Sequence, residues 1–180
     1  YGTVDGYRAA EITLDGVKVD ASAVIGDAHD SYANIEVSHA LGTLAVCAEA
    51  LGAIDVAIDM TLEYLKTRKQ FGTPLSSFQV LQHRMVEMLI SYEQARSMAI
   101  LAAARVDGDG DPRERRRAIS AAKVKIADAA RQLSQESVQL HGGMGMTEEL
   151  KISHTFRRLT MICQRFGDVD HHLERYAELA

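Results

Sequence analysis

Eight residues, Phe78, Leu81, Met85, Met88, Tyr92, Ala95, Ala99 and Ala102, follow one another at steps of three and four without a miss. No strand accommodates that spacing. It is the apolar stripe of a long amphipathic helix that must bury one face along its whole length. The stretches around it repeat the pattern. Leu44, Ala48, Leu51, Ile58, Leu62 and Leu65 mark an earlier helix ended by Gly72-Thr73-Pro74, and Ala122, Ile126, Ala129, Leu133 and Leu140 mark a later one stopped by Gly142-Gly143. A fourth carries Leu150, Phe156, Leu159 and Ile162, and a short last one carries Leu173, Tyr176 and Leu179. Long helices joined by short turns lie antiparallel, so the fold class expected is all-α, an up-down four-helix bundle. At ~1.5 Å rise per residue, helices of about 25–35 residues would run roughly 40–50 Å.

Residues 1–28 do not share this period. Tyr7 to Thr13 and Val17 to Val19 alternate apolar and polar residues about an Asp15-Gly16 turn, and Gly26 closes the segment. A short β-hairpin is expected there, and a hairpin by itself is marginal in water. The chain therefore divides into a sheet fragment, 1–28, and a helical domain, 29–180.

Charge narrows the partners. Lys and Arg total 20 against 25 Asp and Glu, a formal net charge of −5, so nucleic acid is not an expected ligand. The one basic cluster, Arg113 to Arg117, adjoins the acidic turn Asp107-Gly108-Asp109-Gly110-Asp111 and reads as a solvated helix start. Cys47 and Cys163 are isolated, which suits a reducing, cytoplasmic compartment. No apolar run is read as a membrane span. No metal is expected. The histidines lack ligand spacing, and the acidic turn fails as a calcium loop at Pro112 and Ala118.

Two segments carry possible chemistry. Arg68-Lys69-Gln70-Phe71-Gly72 is either a well-capped helix end or a phosphate grip, with a guanidinium fork and an aromatic ring three residues on. Gln139-Leu140-His141-Gly142-Gly143-Met144-Gly145 has more glycine than a helix stop requires, and glycine lets a ligand approach the backbone.

Together, Tyr64-Leu65-Lys66-Thr67-Arg68-Lys69-Gln70-Phe71-Gly72 through Phe78-Gln79, and Gln139-x-x-Gly142-Gly143-x-Gly145, resemble the acyl-CoA dehydrogenase family over essentially the whole chain. The resemblance implies that residues 1–28 end that family's middle β-domain and that 29–180 form its C-terminal four-helix domain. It implies FAD bound across a subunit interface, with Arg68 at the pyrophosphate, Phe71 by the adenosine end, and Gln79, Gln139, Gly142 and Gly143 completing the pocket. It also implies an acyl-CoA substrate, a homologous dehydrogenase subunit as partner in a homo- or hetero-oligomer, and an electron-transferring flavoprotein as acceptor.

The same resemblance exposes a gap. The family's catalytic Glu after the fourth helix falls on Phe166, followed by Gly167 and Asp168, and its alternative site on the first bundle helix falls on Gly42, followed by Thr43. Neither residue can take the α-proton, so no catalytic residue is assigned. The expectation is a base-less subunit completing a partner's FAD site, as in paired actinobacterial enzymes of the family acting on steroid side-chain CoA esters. Two alternatives stand beside it. One is an active homo-oligomer with a relocated base among Asp168, Asp170 and Glu36; the other is a non-catalytic assembly module.

Overall fold

The computed structural model describes residues 1–27, 29–107 and 110–179. Ala28, at the expected domain boundary, and Gly108 and Asp109 of the acidic turn lie outside the described residues. The bundle consists of α1 (Tyr32–Thr67), α2 (Gln79–Asp107), α3 (Pro112–His141), α4 (Lys151–Gln164) and α5 (Val169–Glu178). Its first three helices, of 36, 29 and 30 residues, are about 54, 43 and 45 Å long at ~1.5 Å per residue. The fourth is half that length. The chain breaks at Phe166 and Gly167, both at positive φ, and α4 and α5 together form the fourth side against α3.

α3 is the central helix and packs against α1, α2, α4 and α5. Its start is well specified. Pro112 occupies the first turn, where its missing N–H costs nothing, and the Asp111 carboxylate accepts from the Arg113 N–H at 2.9 Å. Because α3 has neighbours on several sides, its buried residues wrap the helix and include Ser120, Lys123, Ser134, Ser137 and His141 beside the apolar stripe. The Lys123 ammonium donates to the carbonyls of Ile162 (2.7 Å) and Cys163 (3.3 Å) at the C-terminal end of α4. The α2 stripe is placed as expected, with Met88, Ala95 and Ala102 fully buried and the remaining five partly so.

Four expectations are corrected. The α1 core face runs through Thr43, Val46, Cys47, Ala50, Ile54, Ala57, Ile58, Thr61 and Leu65, while Ala48 faces solvent. Ala is so frequent in this helix that the apolar contrast between its faces is weak. By length and composition α1 is also apolar enough to cross a membrane; it packs among α2, α3 and α4, which draws apolar residues to more than one side. α1 ends at Thr67, not Gly72; Gly72 belongs instead to a tight hairpin of β1 (Lys69–Gln70) and β2 (Thr73–Pro74). The hairpin expected about Asp15-Gly16 has no ladder. In its place are one bridge, Gly2 to Arg8, and a 3-10 turn at Ala21–Ala23. Ile12, Leu14, Val17 and Val19 stay exposed, as two short strands without a third sheet partner would.

Residues 1–9 are held by one side chain. Arg158 of α4 donates to Glu49 of α1 at 2.6 and 2.8 Å and to Asp5 at 2.7 Å, and its guanidinium lies 4.3 Å from the centre of the Tyr7 ring. The Asp5 side chain is only 2% exposed. Arg158→Ala is expected to free this segment. Amide exchange at Thr3 and Ala9 should quicken by about tenfold or more, the order of a lost charge-assisted hydrogen bond. Hydrogen-exchange mass spectrometry checks this, with unchanged rates in α3 as the control.

Candidate functional site

The C-terminal end of α1, the β1–β2 hairpin, the start of α2 and the C-terminal end of α3 enclose an open hollow of about 590 Å³. Its lining includes Arg68, Gln139, Gly142 and Gly143 of the residues expected from the sequence, with Tyr64, Gln70, Leu75, Leu81, Arg84 and His141 added. Phe71 and Gln79 do not line it. Gln79 opens α2 and is exposed. Phe71 stands at the hairpin tip, 91% exposed, with only the Phe78 ring edge-on at 6.1 Å between centroids.

Each side chain is placed by local backbone chemistry. Arg68 caps α1: its N–H bonds the Tyr64 carbonyl, and its own carbonyl accepts from Leu75 at 2.8 Å. That leaves the guanidinium at the mouth of the hollow, with no carboxylate partner among the described residues. Phe71 and Gly72 have φ of 56° and 81°, the paired left-handed residues of a two-residue hairpin turn. Phenylalanine is uncommon at such a φ. Such a conformation costs energy and persists only where the surrounding turn imposes it.

The three glycines of the α3 terminus do three different things. Gly142 has φ 61° and stops the helix. A Cβ on Gly143 would meet no protein atom, so the backbone there fronts open space. A Cβ on Gly145 would fall 2.6 Å from the Val138 carbonyl, so that glycine serves packing. The floor is aromatic: Tyr64 and His141 stack at 4.4 Å between centroids, and His141 Nδ1–H donates to the Ser137 carbonyl at 2.8 Å. Arg84, bonded through Nε to Glu136 at 2.8 Å, closes the far wall. Free guanidinium, primary amide, open backbone and flat rings form a donor set for a phosphate-linked aromatic ligand.

A second constellation lies far from the first. Gly42 and Tyr64 are 22 residues apart on α1, about 33 Å along the axis. There the Phe166 ring rests directly on Gly42. A Cβ on Gly42 would come within 2.6 Å of two ring carbons. His39 meets the same ring edge-on at 5.4 Å between centroids. Two of the three candidate acids are committed: Glu36 pairs with Arg116 (3.1 Å) and Arg175 (3.4 Å), and Asp168 caps α5 by accepting from the His171 N–H at 2.9 Å. Asp170 is exposed in the first turn of α5. His172 is 1% exposed. Its Nε2–H donates to the Phe166 carbonyl at 2.9 Å, and its Nδ1 lies 3.2 Å from Ser120 Oγ. Burial, reinforced by His171, Lys123 and Arg175, holds its pKa down to about 4. Burial likewise lowers His39. Among the described residues no three His, Cys, Asp or Glu side chains converge as a metal site.

Arg84, Lys123 and His172 escape the sequence reading, and Tyr64 and His141 appear in its motifs without an assigned role. Polar residues buried on a helix look solvent-facing in one dimension. The Phe-Gly pairs at 71–72 and 166–167 are the one signal that could have marked both sites.

A family model for the acyl-CoA dehydrogenase C-terminal domain matches residues 38–176. The chain is 32% identical over 154 residues to a probable acyl-CoA dehydrogenase, YngJ, of Bacillus subtilis strain 168, covering 86% of this chain and 40% of that protein. It superposes on the acyl-CoA dehydrogenase of Geobacillus kaustophilus with a TM-score of 0.84 at 25% identity, over 92% of this chain and 43% of that one. It superposes on a chain of the ChsE4-ChsE5 complex of Mycobacterium tuberculosis with a TM-score of 0.82 at 28% identity, over 92% of this chain and 43% of that one. It thus spans about two fifths of the length of these relatives. Helical architecture, matched residues and sequence identity agree: the chain belongs to the acyl-CoA dehydrogenase family, and its residues 38–176 match that family's C-terminal domain.

Proposed function

We propose that this chain is the C-terminal part of a base-less subunit of a heteromeric, FAD-dependent acyl-CoA dehydrogenase. It completes the FAD site of a homologous partner subunit that carries the catalytic carboxylate. The observation that carries this is a contrast between the two ends of α1. At one end Arg68, Gln139 and the open backbone at Gly143 form a hollow of about 590 Å³. At the other, the two positions where the family keeps its base hold Phe166 packed on Gly42, and the acids Glu36 and Asp168 are bound up in ion pairs and a helix cap.

The residues of the hollow fit the adenosine-pyrophosphate half of FAD. Arg68 would grip the pyrophosphate bidentately, Gln139 would meet polar edges, and the Gly142-Gly143 backbone would allow close approach. Phe71, at the hairpin tip, and Gln79 would reach the same group from outside the hollow. When bound, the flavin supplies hydride acceptance from the β-carbon of an acyl-CoA thioester. About 33 Å separates this end from Gly42, so the two ends of α1 serve different flavin sites. The similarity to a chain of the ChsE4-ChsE5 complex of M. tuberculosis supports a hetero-oligomer. Residues 1–28 are read as the end of a middle β-domain, an electron-transferring flavoprotein as the acceptor, and the cytoplasm as the compartment. Both cysteines are buried thiols, with Cys47 pushed up to about 11.

The test is made on the full-length protein co-purified with its partner. Arg68→Ala should weaken flavin retention by about 30-fold, roughly 2 kcal/mol for a charge-assisted pair, measured by flavin absorbance after dialysis. Unchanged flavin content would favour a pure assembly module. If the full-length protein without a partner oxidises an acyl-CoA and Asp168→Asn stops it, an active homo-oligomer with a relocated base is the right reading.

A further inference from the structure

We infer that Phe166 is a steric plug that closes this chain's own acyl site against an acyl-CoA thioester. The inference rests on the reading above, because that reading takes positions 42 and 166 as the two places where the family keeps its base.

The plug is built, not incidental. Phe166 and Gly167 have φ of 58° and 97°. Glycine would take the first position at lower strain, yet a bulky ring occupies it. Such a conformation persists where surrounding structure over-determines it, and here three features do. The Phe166 carbonyl is held by His172 Nε2–H at 2.9 Å, and His172 is anchored on α3 through Ser120 at 3.2 Å. Gly167 admits no side chain, since a Cβ there would stand 2.4 Å from His171 Cδ2 and 3.1 Å from His172 Nε2. Asp168 then fixes the start of α5. The turn drives the Phe166 ring onto α1, where Gly42 is the complementary hole and His39 buttresses the ring edge. The cavity beside this cluster, lined by residues that include His39, Thr43, Ser120 and His172, holds about 10 Å³, room for at most a single water. The Phe166 ring, in a residue 37% exposed, fills the space directly over Gly42, so an acyl chain could lie there only if the ring moved.

The measurement is acyl-CoA stoichiometry on the full-length assembly, using the non-oxidisable probe 3-thiaoctanoyl-CoA and native mass spectrometry. In a heteromer with a base-bearing partner, the unaltered protein should bind one probe per two chains. Phe166→Gly, which suits the positive φ and keeps the turn, should raise this to one per chain, with the helical circular dichroism unchanged. His172→Ala, which removes the latch but not the ring, should give a count between the two. The plug is overturned if the unaltered assembly already binds one probe per chain, or if Phe166→Gly leaves the count at one per two. Should the protein prove homo-oligomeric, the heteromer reading fails separately: the plug then requires no bound probe before substitution and one per chain after it, and probe bound to the unaltered homo-oligomer overturns the plug as well.

Discussion

Replacing Lys123 by alanine is expected to cost about 4 kcal/mol of folding stability and to lower the melting temperature by roughly 10 °C. Lys123 is 1% exposed and has no carboxylate partner within ion-pair distance among the described residues. Its ammonium is satisfied by the Ile162 and Cys163 carbonyls, where the C-terminal end of the α4 dipole adds its own attraction. Alanine would leave a cavity where the four-carbon stem ran, and would take the ammonium from the Cys163 carbonyl. Ile162 would keep one donor, the Arg165 N–H. Methionine separates the two contributions. It restores most of the volume and removes the desolvation cost of a buried charge, so Lys123→Met should cost only about 1–2 kcal/mol, the share of the unpartnered carbonyl. Urea unfolding of both variants checks the order, and equal losses would show that cavity volume is not the main term. Burial also lowers the Lys123 pKa. The unfolded chain therefore holds this proton to higher pH than the folded one, and stability should rise as pH climbs from the folded pKa towards 10.5. That rise should vanish in Lys123→Met. The consequence reaches function, because α4 ends two residues before Phe166, and Lys123 fixes the end from which that turn springs.

How far one dimension prefigures three depends on which residues carry the information. The α2 stripe was legible because apolar residues recur at steps of three and four, and the start of α3 because the basic cluster after the acidic turn reads as a solvated helix start, although the Asp111 cap and the first-turn Pro112 were not read from the sequence. The α1 face was not, since a helix rich in Ala offers little contrast between Ala48, which is exposed, and Ala50, which is fully buried. The expected 1–28 hairpin failed for a different reason: its alternation is real, but a strand needs a partner, and the described residues supply none. Of the residues expected to hold a cofactor, Arg68, Gln139, Gly142 and Gly143 converge on one hollow, whereas the stacking of Tyr64 on His141, 77 residues apart in sequence, could not be read from either motif by itself. Phe166 and Gly42 could each be matched to a family position from sequence. That they touch is a fact only of packing.

The deepest pH dependence should come from His172. Its pKa falls from 6.5 to about 4, chiefly through burial. After burial the largest influence is the hydrogen bond to the Phe166 carbonyl, which favours protonation, while His171, Lys123 and Arg175 each oppose it. Between pH 6.5 and 4 the unfolded chain takes up this proton and the folded chain does not. Stability is therefore fully present above about pH 6.5 and is lost as pH falls towards 4, by up to about 3 kcal/mol at 1.36 kcal/mol per unit. His39, also lowered by burial, acts in the same direction and adds a smaller slope. His172→Gln keeps an N–H to give the Phe166 carbonyl but cannot titrate. Its stability should be lower at pH 7 and nearly level down to pH 5, so the two curves converge in acid. Denaturant midpoints at half-unit pH steps make the comparison. Parallel curves would mean that His172 does not titrate with folding. If they converge, acid acts on the residue that holds the Phe166 turn closed, and the near-ultraviolet signal of that ring should loosen before the helices melt.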